Sequence, residues 1–264
     1  MGAADANPET GLSAAKAVTR RGAVVLRPAG PWTPAVHALL RHLEQAGFAA
    51  APRLSGSGLA ADGREALCYV EGELVHPGPW RDDAAAEVGR LLRRLHTATA
   101  SFRPAPGHRW QPWFLREIGG GPRVISHGDL APWNIITRGG WPVALVDWEY
   151  AGPVAPLTEL ARVCWLTAQL HDDDVAALVH LPPLAARARQ LRCIADAYGA
   201  SAAQRRALLP RIIEVAVRET AQEAIDARLT PDSRDPAPLW GLAWRARAAG
   251  WMLRHRATLG AALT

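Results

Sequence analysis

The chain has 264 residues, 49% hydrophobic and 21% charged, which fits one large domain or two lobes around a shared cleft and excludes a disordered chain. Its formal net charge is +5, yet the basic residues are interleaved with Asp and Glu and form no run, so a solvated surface accounts for them and no nucleic-acid partner is expected. Cys68, Cys164 and Cys193 are odd in number and widely spaced, which excludes a disulfide framework and a zinc site. Lys16 is the one lysine among 30 basic residues, a bias of the whole chain that gives no single arginine a special meaning. No stretch reaches the roughly 18 apolar residues of a membrane span, so no membrane partner is expected. MGAADANPET lacks a basic-then-apolar signal, and a cytoplasmic location is expected.

In chain order, residues 1–15 are small and polar and read as a loose tail. KAVTR and AVVLR flank Arg21-Gly22 and predict a hairpin. Thr33, followed by Pro34, caps a helix to about Ala46 with Val36, Leu39, Leu40 and Leu43 on one face. A strand follows at 64–70, then a linker. Asp82 opens a helix whose apolar face carries Val88, Leu91, Leu92 and Leu95. A Pro- and Gly-rich loop spans about 103–122. Short apolar segments VIS, NIITR and PVALVDW come next, with Gly139-Gly140 as the turn between the last two. Helical stretches fill about 155–170, 183–198, 202–229 and 238–258. The layout predicts an α+β chain: a tail at 1–15, a small α/β N-terminal lobe at 16–75 and a larger, mostly helical C-terminal lobe at 76–264. The cleft between lobes is the natural ligand site.

The segment richest in chemistry is His127-Gly128-Asp129-Leu130-Ala131-Pro132-Trp133-Asn134, followed by Val146-Asp147-Trp148-Glu149. Phosphoryl transfer needs one carboxylate to orient the attacking hydroxyl. It also needs a carboxamide and a second carboxylate to hold magnesium against phosphate oxygens. A loop brings Asp129 and Asn134 together, and the following hairpin returns Asp147 beside them. A lone Asp in a loop is usually a turn or cap residue; three such groups at this spacing are much less readily explained that way. A metallophosphatase would need further His and Asp clusters, and the sequence has none.

This segment resembles the catalytic loop and metal-binding motif of the aminoglycoside phosphotransferase family, itself similar to choline kinases and protein kinases. The resemblance implies a protein-kinase-like two-lobed fold. It implies Asp129 as catalytic base, with His127 beside it bracing the loop, and Asn134 and Asp147 as magnesium ligands. ATP or GTP would be the phosphate donor. The Leu-Leu-Arg-Arg-Leu-His of residues 91–96 also resembles the family, and His96 reads as a structural residue. Cys68-Tyr69-Val70-Glu71-Gly72 resembles the hinge that meets the adenine through backbone groups, which makes Tyr69 and Val70 nucleotide-binding candidates.

Arg27 stands where the family has a phosphate-contacting lysine, and Lys16 lies one strand earlier. Arginine can bind phosphate bidentately but is not equivalent to lysine; the other reading is an exposed strand end. Val36 and His37 stand where a partner glutamate is usual, leaving Glu44 as the helix's carboxylate and an Arg27–Glu44 contact as one option. No glycine-rich phosphate loop is evident, and Glu159-Leu160-Ala161 replaces the usual Asp-Leu-Ala. Glu214, Glu219, Glu223 and Asp226 read either as an acidic wall for a cationic acceptor or as exposed helix charges. Trp240, Trp244 and Trp251 read as a pocket or, preferably, as helix packing. The expected function is magnesium-dependent transfer of a nucleotide's terminal phosphate to a hydroxyl of a small molecule, an antibiotic included. The alternative is a kinase-fold binding or immunity protein without catalysis.

Overall fold

The computed structural model describes residues 8–14 and 16–264. The expected tail at 1–15 is replaced in part by a strand, β1 (Glu9–Ser13); residues 1–7 and Ala15 lie outside the described residues. β1 forms because β2 (Val18–Arg21) supplies an antiparallel partner, and Glu9 ties the edge by accepting from Thr19, Arg21 and Arg64. β2 turns at Gly22 into β3 (Val24–Arg27), the predicted hairpin. β4 (Leu54–Leu59) and β5 (Glu65–Cys68) complete a five-stranded sheet of order β1-β2-β3-β5-β4. β4 was not expected: its LSGSGL sequence has poor strand propensity, and a register shift between Leu54 and Leu59 absorbs the irregularity.

α1 (Thr33–Gln45) lies against this sheet and buries the predicted Val36, Leu39, Leu40 and Leu43. Thr33 is its first residue rather than its cap, and its hydroxyl accepts from Gly30 N at 2.9 Å. The chain then runs through a linker pinned to the larger lobe. Glu73 and Thr137 exchange backbone hydrogen bonds of 2.9 and 2.8 Å, and a Cβ on Gly72 would sit 2.3 Å from Thr137 O.

The larger part opens with α2 (Asp82–Thr99), which buries Val88, Leu91, Leu92 and Leu95. β6 (Val124–Ser126) pairs with β9 (Gly152–Val154), and β7 (Ile135–Arg138) with β8 (Trp141–Leu145) around the predicted Gly139-Gly140 turn, both at positive φ. α3 (Pro156–Thr167) is buried continuously from Thr158 to Thr167, so it is the central helix rather than an amphipathic surface one. α4 (Asp173–Leu178), α5 (Leu184–Tyr198), α6 (Ala202–Asp226), α7 (Pro236–Arg254) and α8 (Arg256–Ala262) enclose it. The short α4 and α8 add to the four predicted stretches. One apolar core runs from α1 through α2 and α3 to α7. Among the described residues no helix is long and apolar enough to cross a membrane.

Candidate active site

The loop joining β6 to β7 carries Asp129. Gly128 lies at φ +78, and a Cβ there would meet Tyr150 O at 2.3 Å, so only glycine lets the chain pass. Gly128 N donates to Glu159 Oε1 at 2.7 Å, while Trp113 Nε1 donates to Gly128 O at 3.0 Å. Glu159 Oε2 takes a 2.7 Å hydrogen bond from His96 Nε2, and His96 Nδ1 meets the Tyr198 hydroxyl at 2.9 Å. Burial works to raise the Glu159 pKa, but the His96 and Gly128 contacts leave it lowered. The longer glutamate thus fastens the loop to α2, and His96 is structural as expected.

His127 is fully buried beneath the loop. Its Nε2 donates to Val146 O at 2.8 Å, and its Nδ1 accepts from Asp129 N at 3.3 Å. Both ring nitrogens are therefore committed to backbone groups. Burial pulls its pKa down, so the ring is neutral and braces the loop rather than meeting a reacting group.

Asp129 is buried. Asn134 Nδ2 donates to its Oδ2 at 3.0 Å and to its backbone oxygen at 2.8 Å. Arg162 Nη2 lies 2.9 Å from Oδ1 but out of line for a hydrogen bond, leaving Oδ1 without a hydrogen-bond partner among the described residues. Burial raises the Asp129 carboxyl above its usual value, and the charge of Arg162 opposes this without overcoming it. Arg162, on α3, was not foreseen. Its signal is an arginine within a helix buried along nearly its whole length, a placement that demands buried acidic partners. It finds a second one in Glu219 at 2.8 Å.

Asp147 follows β8 in a left-handed conformation, φ 66 and ψ 63, which turns its carboxylate into the cleft at some cost in strain. Arg27 Nη1 lies 2.7 Å from its Oδ1 and Lys16 Nζ 2.6 Å from its Oδ2. Glu149 repeats the arrangement, at 2.8 Å from Arg27 Nη2 and 2.6 Å from Lys16 Nζ. Burial works to raise the Asp147 pKa, but the Arg27 charge and the Lys16 hydrogen bond leave it lowered. Arg27 Nε meets Glu65 at 3.2 Å, and the other face of Glu65 meets His37 Nε2 at 2.9 Å. Arg27 is thus neither a solvent-facing strand end nor a partner of Glu44, which instead lies 3.4 Å from Arg53. Its carboxylate comes from β5 because β3 and β5 place Arg27 and Glu65 opposite each other in register.

These groups open on a cavity of about 560 Å³, within the range of ligand clefts. Lys16, Arg27, Tyr69, Val70, Asn134 and Asp147 all line it. The end of β1 supplies Leu12 and Ser13 to its wall, on the side where the sequence shows no glycine-rich loop. Tyr69 N is already used by Ala23 O at 2.8 Å, and Arg20 stacks on the Tyr69 ring at 3.7 Å. Asp147, Glu149 and the Asn134 carboxamide oxygen are hard oxygen donors of the kind magnesium takes, so the donor set fits that ion. Lys16 and Arg27 each pair with both carboxylates. A second cavity of about 420 Å³ adjoins the same loop at Pro132 and Trp133, and Trp133 is shared between the two.

A sequence profile described as the phosphotransferase enzyme family matches residues 108–191, which include the Asp129–Asn134 loop and Asp147. Over 246 residues the chain is 53% identical to the trifolitoxin immunity protein of Rhizobium leguminosarum bv. trifolii, covering 93% of this chain and 94% of that one. The chain belongs to the phosphotransferase enzyme family. Its fold is the protein-kinase-like one of that family, a small sheet lobe and a larger helical part. Amicoumacin kinase hAmiN, solved with AMP-PNP and Ca2+, superposes with a TM-score of 0.67 over 92% of this phosphotransferase-family chain and 88% of its own, at 13% identity. A choline/ethanolamine kinase family protein from Mesorhizobium loti gives 0.57 over 97% and 92%, at 19% identity.

Proposed function

We propose that this chain moves the terminal phosphate of ATP or GTP to a hydroxyl of a small molecule, an antibiotic or toxin among the candidates. The observation that carries the reading is Asp129 Oδ1, a buried carboxylate oxygen with no hydrogen-bond partner among the described residues, in the loop that lies between the two cavities. Oδ1 accepts the acceptor's hydroxyl hydrogen and orients its oxygen, while Asn134 fixes Oδ2 and so sets the carboxylate plane. Arg162 balances the buried charge without consuming that acceptor site. Asn134 and Asp147 would hold magnesium, which supplies charge neutralisation at the phosphate oxygens when bound. Lys16 and Arg27 face the same cavity and can pass from the carboxylates to phosphate oxygens as a nucleotide enters.

A second reading is a non-catalytic immunity protein that sequesters its ligand. One observation favours it: the 53% identical relative is named an immunity protein. The test is a screen of small hydroxyl compounds with ATP and with GTP, following nucleotide consumption and a one-phosphoryl mass gain on the acceptor. A mass gain lost in Asp129→Asn supports the kinase. Tight acceptor binding with no mass gain under any nucleotide and magnesium condition leaves the sequestering protein.

A further inference from the structure

We infer that the second cavity takes a neutral small molecule bearing an aromatic or similarly flat apolar group, and not a polycation. The inference rests on the phosphotransferase reading, whose acceptor class it names. The cavity's position supports this: Pro132 and Trp133 line it and follow Asp129 by three and four residues. Trp133, Trp240, Trp244 and Leu166 make its walls predominantly apolar. Leu178 and Trp240, 69% and 45% exposed, continue that apolar surface out to the rim.

Its electrostatics argue against cations. Among the described residues that line it there is no carboxylate. His76 and His171 are pulled down by burial, His171 to about 3, so both are neutral near pH 7. Three of the four acids expected to form a cation-binding wall meet arginines, and the fourth, Asp226, accepts from Gln222 outside the cavity lining. Glu219 lies 2.8 Å from Arg162 and 3.3 Å from Arg245, Glu223 lies 3.4 Å from Arg245, and Glu214 lies 3.4 Å from Arg211. Cation–π capture is pre-empted as well. The Arg245 guanidinium sits 4.5 Å over the Trp244 ring, and Arg162 lies 5.9 Å from the Trp133 ring, so another cation there meets like charge. Arg245 is itself held by two glutamates, which leaves little pull on an anion. Gln169 Oε1 and His171 Nδ1, on lining residues, have no hydrogen-bond partner among the described residues, and they suit a ligand with an N–H or O–H donor beside its flat group.

Saturation-transfer NMR on the full chain without nucleotide tests this. The probes are 2-phenylethanol, its charged counterpart 2-phenylethylamine, and kanamycin. A fragment of this size is expected to bind with a Kd of about 1–10 mM. The alcohol is expected to bind at least about fivefold more tightly than the amine, with no transfer from kanamycin. Trp244→Ala should abolish the alcohol signal. Leu178→Asp, at an exposed rim position that the fold tolerates, should shift the preference toward the amine. Equal or tighter binding of the amine to the wild type, competition by kanamycin, or no transfer from the alcohol at about 20 mM overturns the inference. The two readings fail separately. Phosphorylation of kanamycin would end the neutral-acceptor class and keep the kinase. Trp244-dependent alcohol binding in a protein that consumes no nucleotide with any acceptor would keep the ligand class and end the kinase.

Discussion

Asp129 and Asp147 share a residue type yet are tuned in opposite directions. Burial raises Asp129 despite Arg162, whereas Arg27 and Lys16 hold Asp147 lowered against the same burial. A base benefits from the first condition and a metal-binding carboxylate from the second. Asp129→Asn keeps the shape but removes the base and the carboxylate beside Arg162, so transfer should drop by about 10²–10⁴-fold in a chain that still folds, with some loss of melting temperature. Turnover within a factor of a few of wild type would remove the assignment. In the wild type, activity needs the carboxylate and is lost as pH falls through its raised pKa. The acid limb of kcat/KM should therefore lie above the usual 3.8, read from rates after short pH jumps. Lys16 gives a separate prediction. Lys16→Met takes one of two cations off Asp147 and Glu149, so less magnesium should be needed for half-maximal nucleotide binding in calorimetry. An unchanged magnesium requirement would mean that Lys16 does not compete for the site.

The pairing of α2 with α5 is decided by one glycine. A Cβ on Gly89 would sit 2.4 Å from Ile194 O, a backbone atom that cannot rotate away. Gly89→Ala should therefore destabilise the fold by about 1–3 kcal/mol, even though alanine is the better helix former. Urea denaturation checks this, and a neutral or stabilising result would mean that the two helices can slide apart freely. His96 and Tyr198, which anchor Glu159 and the Asp129 loop, lie on these two helices, so some loss of activity should accompany the loss of stability. Elements with their own apolar period, α1 and α2, were legible to within a residue or two, because their buried faces repeat at helical spacing. The β7–β8 hairpin was legible from its two glycines. β1 was not: four of its five residues are exposed, and only pairing with β2 makes it a strand. β6 and β9 are three residues each and pair across 25 intervening residues, a contact that no local pattern announces.

Acid should loosen the molecule from near neutrality downward. Burial lowers the pKa of His76, His127 and His171, the last to about 3. The unfolded chain takes up protons on these rings near the usual 6.5 while the folded chain does not, so stability declines as pH falls below that value. Asp147, Glu159 and Glu219, all lowered, add a steeper loss once the pH passes below about 4.5, where their unfolded forms protonate. Urea midpoints at pH 7.5, 6 and 5 should fall in that order, and His171→Gln should flatten part of the slope. A flat profile would mean that the rings protonate within the native state. The sequence by itself determined the two-lobed order, the helix faces, and the choice of Asp129, Asn134 and Asp147 as candidates, because a fixed spacing within one loop and one hairpin is local and survives in the chain as a pattern. Tertiary structure alone decided how the cationic side was built. Arg27 is served by Glu65 from β5, and Lys16 reaches Asp147 and Glu149 across 131 and 133 residues. It also decided that Glu219 is a buried partner of Arg162 and not part of an open acidic wall. Charges carry no address in the sequence; which of them meet depends on register and helix packing, and these follow from the whole core at once.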